Sequence, residues 1–151
     1  MERQAEPDAP PASTEQRGSG MGSDVMVTAP ATVTLTLPPQ PRFVRVARLV
    51  ATGLANELGF GVDRLDDVRL AVGEACGLAV QVGARQIELS YVLAEHSLSV
   101  TIDAVLDGPA VQLDADYVTL AEQVLAVACD DQRVDRDERR MSIGITFTDA
   151  D

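Results

Sequence analysis

The sequence contains no lysine, since all 12 of its basic residues are arginine. A P-loop and a Schiff-base mechanism both need a lysine, so both are excluded. Cysteine and histidine are scarce: Cys76, Cys129 and His96 are the only examples, and their spacing fits no metal site. Both cysteines lie in apolar helical patterns. This predicts buried free thiols and fits a reducing cytoplasm.

Long hydrophobic runs are also missing. No apolar stretch approaches the roughly 20 residues that a membrane-spanning helix needs. Residues 1–20 are polar and proline-rich, without the apolar stretch of a secretory leader. We therefore expect a cytoplasmic protein that does not associate with a membrane.

Acidic residues outnumber basic ones by 24 to 12, which gives a net charge of −12. Such a chain should repel nucleic acid, because DNA binding depends on cations that contact phosphates. The charge favours a basic protein partner. Solubility alone would also account for it.

The 151 residues suffice for one domain with a real core. Residues 1–30 are rich in proline, glycine, serine and charge, which predicts a disordered tail. Residues 31–149 form the predicted folded domain.

Within that domain, strand-like alternation and helical spacing follow one another. Strand patterns occupy residues 31–37, 87–93, 98–104 and 141–147, and Val134 fits a short additional strand. Helical patterns occupy residues 41–58 and 63–82 and a segment after Tyr117. The order predicts an α+β two-layer sandwich, with helices on one face of a mixed, mostly antiparallel sheet.

Single residues mark the expected helix ends. Pro41 suits the first turn of the first helix, and Gly59 and Gly61 should close it. Asp63 is the expected N-cap of the second helix, and Gly83 should end that helix.

A carboxylate stands out in the second helix. Glu74 lies in the apolar segment LAVGEACGLAV, where a charge belongs either on an exposed edge or in a functional pocket. The surrounding segment RLDDVRLAVGEAC resembles the region that leads into the N box of GHKL (histidine-kinase-like) ATPases. The resemblance is closest to anti-sigma serine kinases, in a divergent actinobacterial branch, and covers about residues 32–147. It implies the Bergerat fold of these ATPases.

The resemblance also implies roles for single residues. Glu74 matches the general base that helps phosphorylate a serine of an anti-anti-sigma partner. Leu78 stands where the family has the asparagine that holds magnesium, and leucine has no oxygen for a hard cation. Asp103 is the positional match for the aspartate that reads adenine, but Val105 and Asp107 replace the glycines that should follow.

The family's glycine-rich lid is missing as well. Residues 106–120 contain one glycine, in an Asp107-Gly108-Pro109 sequence that is either an ordinary turn or a displaced motif fragment. Asp114 and Asp116 would repel phosphate. We therefore expect no cofactor, with ATP and magnesium required only if the chain is an active kinase.

The partner-binding candidate lies in the first helix. Phe43-Val44-Arg45-Val46 resembles the family's F-x-R-V pattern, in which the arginine contacts a sigma factor. The carried-over residue is Arg45. The alternative is a solvated basic face formed with Arg42 and Arg48.

Two functions follow as hypotheses. The first is an anti-sigma factor that sequesters an alternative (stress or developmental) sigma factor and is released by an anti-anti-sigma factor. The second is an active ATP-dependent serine/threonine kinase of that antagonist. A GHKL-like domain that regulates an unknown partner is a third option. Because members of the family are often dimers, a homodimer is a further expectation.

Overall fold

The computed structural model describes residues 29–109 and 111–149. Most of the predicted N-terminal tail, residues 1–28, therefore lies outside the described part. The elements in chain order are β1 (Ala31–Leu37), α1 (Pro41–Glu57), α2 (Val62–Gln81), β2 (Gln86–Ala94), β3 (Ser97–Val105), α3 (Ala115–Ala128), β4 (Asp131–Arg136) and β5 (Arg140–Thr148).

The five strands form one sheet in the order β1-β2-β3-β5-β4, and all four pairings are antiparallel. The α+β prediction is confirmed, and the short strand around Val134 is β4. Along β3 and β5 every second residue is buried, because strand side chains alternate between the two faces. The buried side chains point towards the helices. The Tyr91 hydroxyl, for example, donates to the carbonyl oxygen of Ala47 in α1.

The helices pack closely because small residues line their contacts. Ala47, Ala51 and Ala55 form the buried stripe of α1, spaced one turn apart, and α1 packs along α2. Helix α2 carries seven buried residues and is the centre of the helical layer, since it contacts α1, α3 and the sheet. No helix in the described part is long and apolar enough to cross a membrane.

Most of the predicted helix ends are confirmed. Pro41 begins α1, and Gly59 and Gly83 follow α1 and α2 with φ of 84° each, a conformation that glycine adopts without strain. The N-cap of α2 is different from the prediction. Gly61 occupies that position, Asp63 lies in the first turn, and the Asp149 carboxylate accepts the Gly61 amide from across the fold at 2.9 Å.

Candidate functional site

Glu74 lies on α2 next to the start of α3. Its side chain is partly buried, and its charge acts on the Tyr117 hydroxyl. Burial raises the pKa of the Tyr117 hydroxyl, and the charge of Glu74 raises it further. The same hydroxyl lies over Gly77, where an added Cβ would be 3.2 Å away. Glu74 is thus neither in the core nor fully exposed, and it lies near Tyr117.

Leu78 does not reach the solvent beside Glu74. It is 4% exposed and belongs to the hydrophobic core. A buried leucine offers no oxygen to a metal ion, so the position holds no magnesium ligand. The described residues contain no group of three or more histidine, cysteine or acidic side chains that could hold a metal ion.

The structure separates Asp103 from Glu74. Asp103 lies on β3 between Ile102 and Ala104, which are both buried against the helices, so its own side chain points to the opposite face of the sheet. There its Oδ2 lies 3.0 Å from the Arg140 guanidinium, and this hydrogen bond raises the pKa of Arg140. Its Oδ1 is shielded from solvent and has no hydrogen-bond partner among the described residues. Asp103 thus lies on the face of the sheet away from the helices, whereas Glu74 lies on α2, and the adenine-binding role of Asp103 stays a prediction.

The positions at the end of β3 that do face the helices are apolar. Ala104 and Leu106 are both buried. Beyond them, the Val111 amide donates to the Val82 carbonyl at the end of α2, at 3.0 Å. The Val111 side chain also contacts Gly83, where an added Cβ would lie 2.9 Å from Cγ2. The segment that corresponds to the family's lid is therefore bound to the end of α2.

A cleft of about 730 Å3 lies at the end of β3, away from Glu74. It is formed by the Asp107-Gly108-Pro109 turn, the Arg85–Asp107 ion pair and the turn between β4 and β5. Neither Glu74 nor Leu78 lines it. The predicted site residues therefore do not meet in one pocket.

Arg45 lies on the exposed side of α1. Within the described residues it makes no hydrogen bond or ion pair, unlike Arg64, Arg69, Arg85 and Arg140. One turn further along the helix, Leu49 is 65% exposed. Arg45 is thus free to contact a partner, and an apolar side chain accompanies it.

The comparison with known protein families agrees with the fold described above. Residues 37–140 match the family described as a histidine kinase-like ATPase domain. The chain belongs to this family. The match covers α1, α2, the hairpin β2–β3, α3 and β4, and it confirms the resemblance to GHKL ATPases.

Several curated relatives of this histidine kinase-like ATPase domain share the name serine-protein kinase RsbW. The protein from Halalkalibacterium halodurans is 44% identical over 50 residues, which are 33% of this chain and 31% of that protein. The one from Bacillus subtilis is 39% identical over 49 residues, 32% of this chain and 31% of that protein. The one from Listeria monocytogenes is 30% identical over 82 residues, 51% of this chain and 52% of that protein. The chain thus spans about a third to a half of these relatives.

Proposed function

We propose that this chain is an anti-sigma factor, which sequesters an alternative sigma factor and is released by an anti-anti-sigma factor. The observation that carries the proposal is Arg45 on the first helix of a histidine kinase-like ATPase domain, where it is exposed and makes no ion pair with any described residue. A guanidinium can bind a partner's carboxylate with two parallel hydrogen bonds. The exposed Leu49 adds apolar area to the same surface.

The nucleotide elements do not fit Mg·ATP. The position of the metal ligand is a buried leucine, Leu78, and the helix-facing residues at the end of β3 are Ala104 and Leu106. The segment that should cover the phosphates has no glycine-rich loop and is hydrogen-bonded to Val82 instead. The proposed sequestration needs none of these elements, because it depends on surface contacts alone.

The alternative is an active serine/threonine kinase. It is favoured by Glu74, which stays partly accessible beside Tyr117, and by the name of the RsbW relatives. Calorimetry with Mg·ATP separates the two functions. We expect weak or absent binding at physiological magnesium, whereas low-micromolar, magnesium-dependent affinity would support the kinase instead.

Capture of partners tests the main proposal. The tagged full chain, expressed in its native cells, should recover a sigma factor that mass spectrometry identifies. With that sigma factor purified, Arg45→Ala should weaken binding by ~30-fold, since truncation of a desolvated interface arginine costs about 2 kcal/mol or more.

Arg69→Ala is the matched control. Arg69 lies on α2, is similarly exposed and, among residues 29–109 and 111–149, pairs only with Asp66. Equal losses in both variants would indicate a diffuse electrostatic contact and not a site at Arg45. Recovery of neither a sigma factor nor an antagonist would contradict the proposed function. Two further expectations stay predictions: that the chain does not bind nucleic acid, and that it forms a homodimer.

A further inference from the structure

A second feature of the helical layer is a cleft between α1 and α2. Its volume is about 240 Å3, and it lies between the first half of α1 and the second half of α2. The α1 wall consists of residues spaced three and four apart. The α2 wall consists of one residue and the two that lie three and four positions after it. The lining residues are Pro41, Val44, Arg48, Gly77, Val80 and Gln81. The lining thus combines apolar residues with one guanidinium and the side-chain amide of Gln81.

One glycine of α2, Gly73, lets Arg48 occupy this position. A Cβ at Gly73 would lie 3.0 Å from Nη1 and 3.2 Å from Cδ of Arg48, so the arginine side chain lies directly on the helix backbone. Gly77, one turn further, lines the cleft and is approached only by the Tyr117 hydroxyl. A Cβ at Gly73 would make a tight contact with the Arg48 side chain, which would have to shift by a few tenths of an ångström.

Arg48 has no anionic partner in the part of the chain that the structure describes. It is partly buried, and no carboxylate within the described residues lies at ion-pair or hydrogen-bond distance from its guanidinium. This is unexpected in a chain of net charge −12. A guanidinium that is partly removed from water and has no carboxylate beside it is stabilised when a carboxylate pairs with it.

The cleft lies near the surface proposed to bind a partner, although Arg45 itself does not line it. Arg45 lies three residues before Arg48, on the neighbouring stripe of α1, and is exposed. A segment that contacts Arg45 can therefore reach Arg48 along the same helix. The apolar residues Pro41 and Val44 are unsuited to a small free anion, which would stay hydrated, and suit a peptide with apolar side chains.

We propose that the α1–α2 cleft binds an acidic segment of a protein partner, in which one aspartate or glutamate pairs with Arg48. Apolar side chains next to that carboxylate enter between Pro41, Val44 and Val80. The identity of the partner as a sigma factor rests on the proposed function. The chemistry of the recognised segment rests on the cleft alone.

Peptide display tests this chemistry without a known partner. Random dodecapeptides are selected on the full chain and, in parallel, on Arg48→Gln. We expect enrichment of peptides with an aspartate or glutamate flanked by apolar residues on the wild type, and loss of this enrichment on Arg48→Gln. Arg69→Gln is the control and should select the same peptides as the wild type.

One enriched peptide then serves as the probe in fluorescence anisotropy. Its affinity should fall at least tenfold for Arg48→Gln, and by less for Arg48→Lys, which keeps the charge but not the planar fork. Replacement of the peptide's acidic residue by its amide should weaken binding to the wild type and have little further effect on Arg48→Gln. Thermal unfolding of each variant verifies that the fold is retained.

Gly73→Ala provides an independent test, since it leaves Arg48 in the sequence but forces its side chain to shift by a few tenths of an ångström. We expect this substitution to weaken binding of the probe peptide as well. No enrichment, or enriched peptides without an acidic residue, would overturn the proposal. So would self-association that Arg48→Gln abolishes, because it would assign the cleft to a second copy of this chain.

The outcomes also separate this inference from the proposed function. A captured sigma factor whose affinity is insensitive to Arg48→Gln would overturn the cleft proposal and leave the anti-sigma function standing. Arg48-dependent acidic peptides without any captured sigma factor would support the cleft and contradict the function.

Discussion

The Arg64 guanidinium, in the first turn of α2, donates a hydrogen bond to the carbonyl oxygen of Ala128, the last residue of α3, at 3.0 Å. The same group donates to the Thr148 carbonyl at the end of β5, at 3.1 Å, and pairs with Asp67 and Asp130. It also lies 5.6 Å from the centre of the Phe147 ring. One arginine therefore joins α2, α3 and the last strand.

Arg64→Ala should lower the free energy of unfolding by about 2–4 kcal/mol, because two carbonyl oxygens lose a charged donor in a part-buried site. The ion pairs add little, since both carboxylates are more than 40% exposed. Urea unfolding measures the loss. Arg69→Ala, which removes one exposed pair, should change stability by less than about 0.5 kcal/mol. Similar losses in both variants would contradict the special role of Arg64.

Asp130 should make stability depend on acid pH. Burial alone would raise the pKa of its carboxyl, but the Thr148 amide and the Arg64 guanidinium outweigh this and hold the pKa below its usual value. A lowered pKa in the folded state stabilises the protein above the unfolded pKa of about 3.9, and this contribution disappears as the pH falls through the folded value. Asp130→Asn should therefore be less stable than the wild type at pH 7, and the difference should shrink below about pH 4. A constant difference in denaturant titrations across this range would contradict the prediction.

Two glycine replacements should change the free energy of unfolding in opposite directions. Gly83→Ala places a side chain at φ 84° and within 2.9 Å of Val111, so it should destabilise the protein by about 1 kcal/mol or more. Gly53→Ala meets nothing within 4 Å on the exposed side of α1 and should stabilise it by about 0.5–1 kcal/mol. Thermal unfolding of the two variants gives the comparison. Stabilisation by Gly83→Ala would mean that the 111–114 segment does not rest on α2.

Both thiols should be inert in the folded protein. Burial raises the pKa of Cys76 to about 12 and that of Cys129 to about 11, and the Cys129 thiol also donates to the Leu125 carbonyl. Thiolates are the reactive form, so a disulfide reagent at pH 8 should modify neither residue until denaturant is added. Because unfolded thiols ionise near pH 8.5, these two groups favour folding fully below that pH and less as the pH rises. Rapid reaction of one thiol in the native state would contradict their burial.

Local patterns predicted most of the fold because each depends on neighbours in sequence. The alternation in 98–104 and the glycines at 59 and 83 specify a strand and two helix ends without any distant contact. The same alternation could have excluded Asp103 from the helix-facing side, since Ile102 and Ala104 flank it. The roles of Arg48 and Arg64 could not be predicted, because their contacts lie on elements far away in the chain. Gly73 carries no local sign of the arginine that covers it.

The two edges of the sheet differ in a way that limits how the protein assembles. Edge strand β4 carries charged side chains of both signs, Asp131, Arg133, Asp135 and Arg136, which discourage a further strand from pairing there. Edge strand β1 has no charged residue. Charge therefore opposes strand addition at β4 but not at β1, and two copies joined along β1 would present only the charged β4 edges. Such an assembly stops at a closed pair and does not propagate into a fibre.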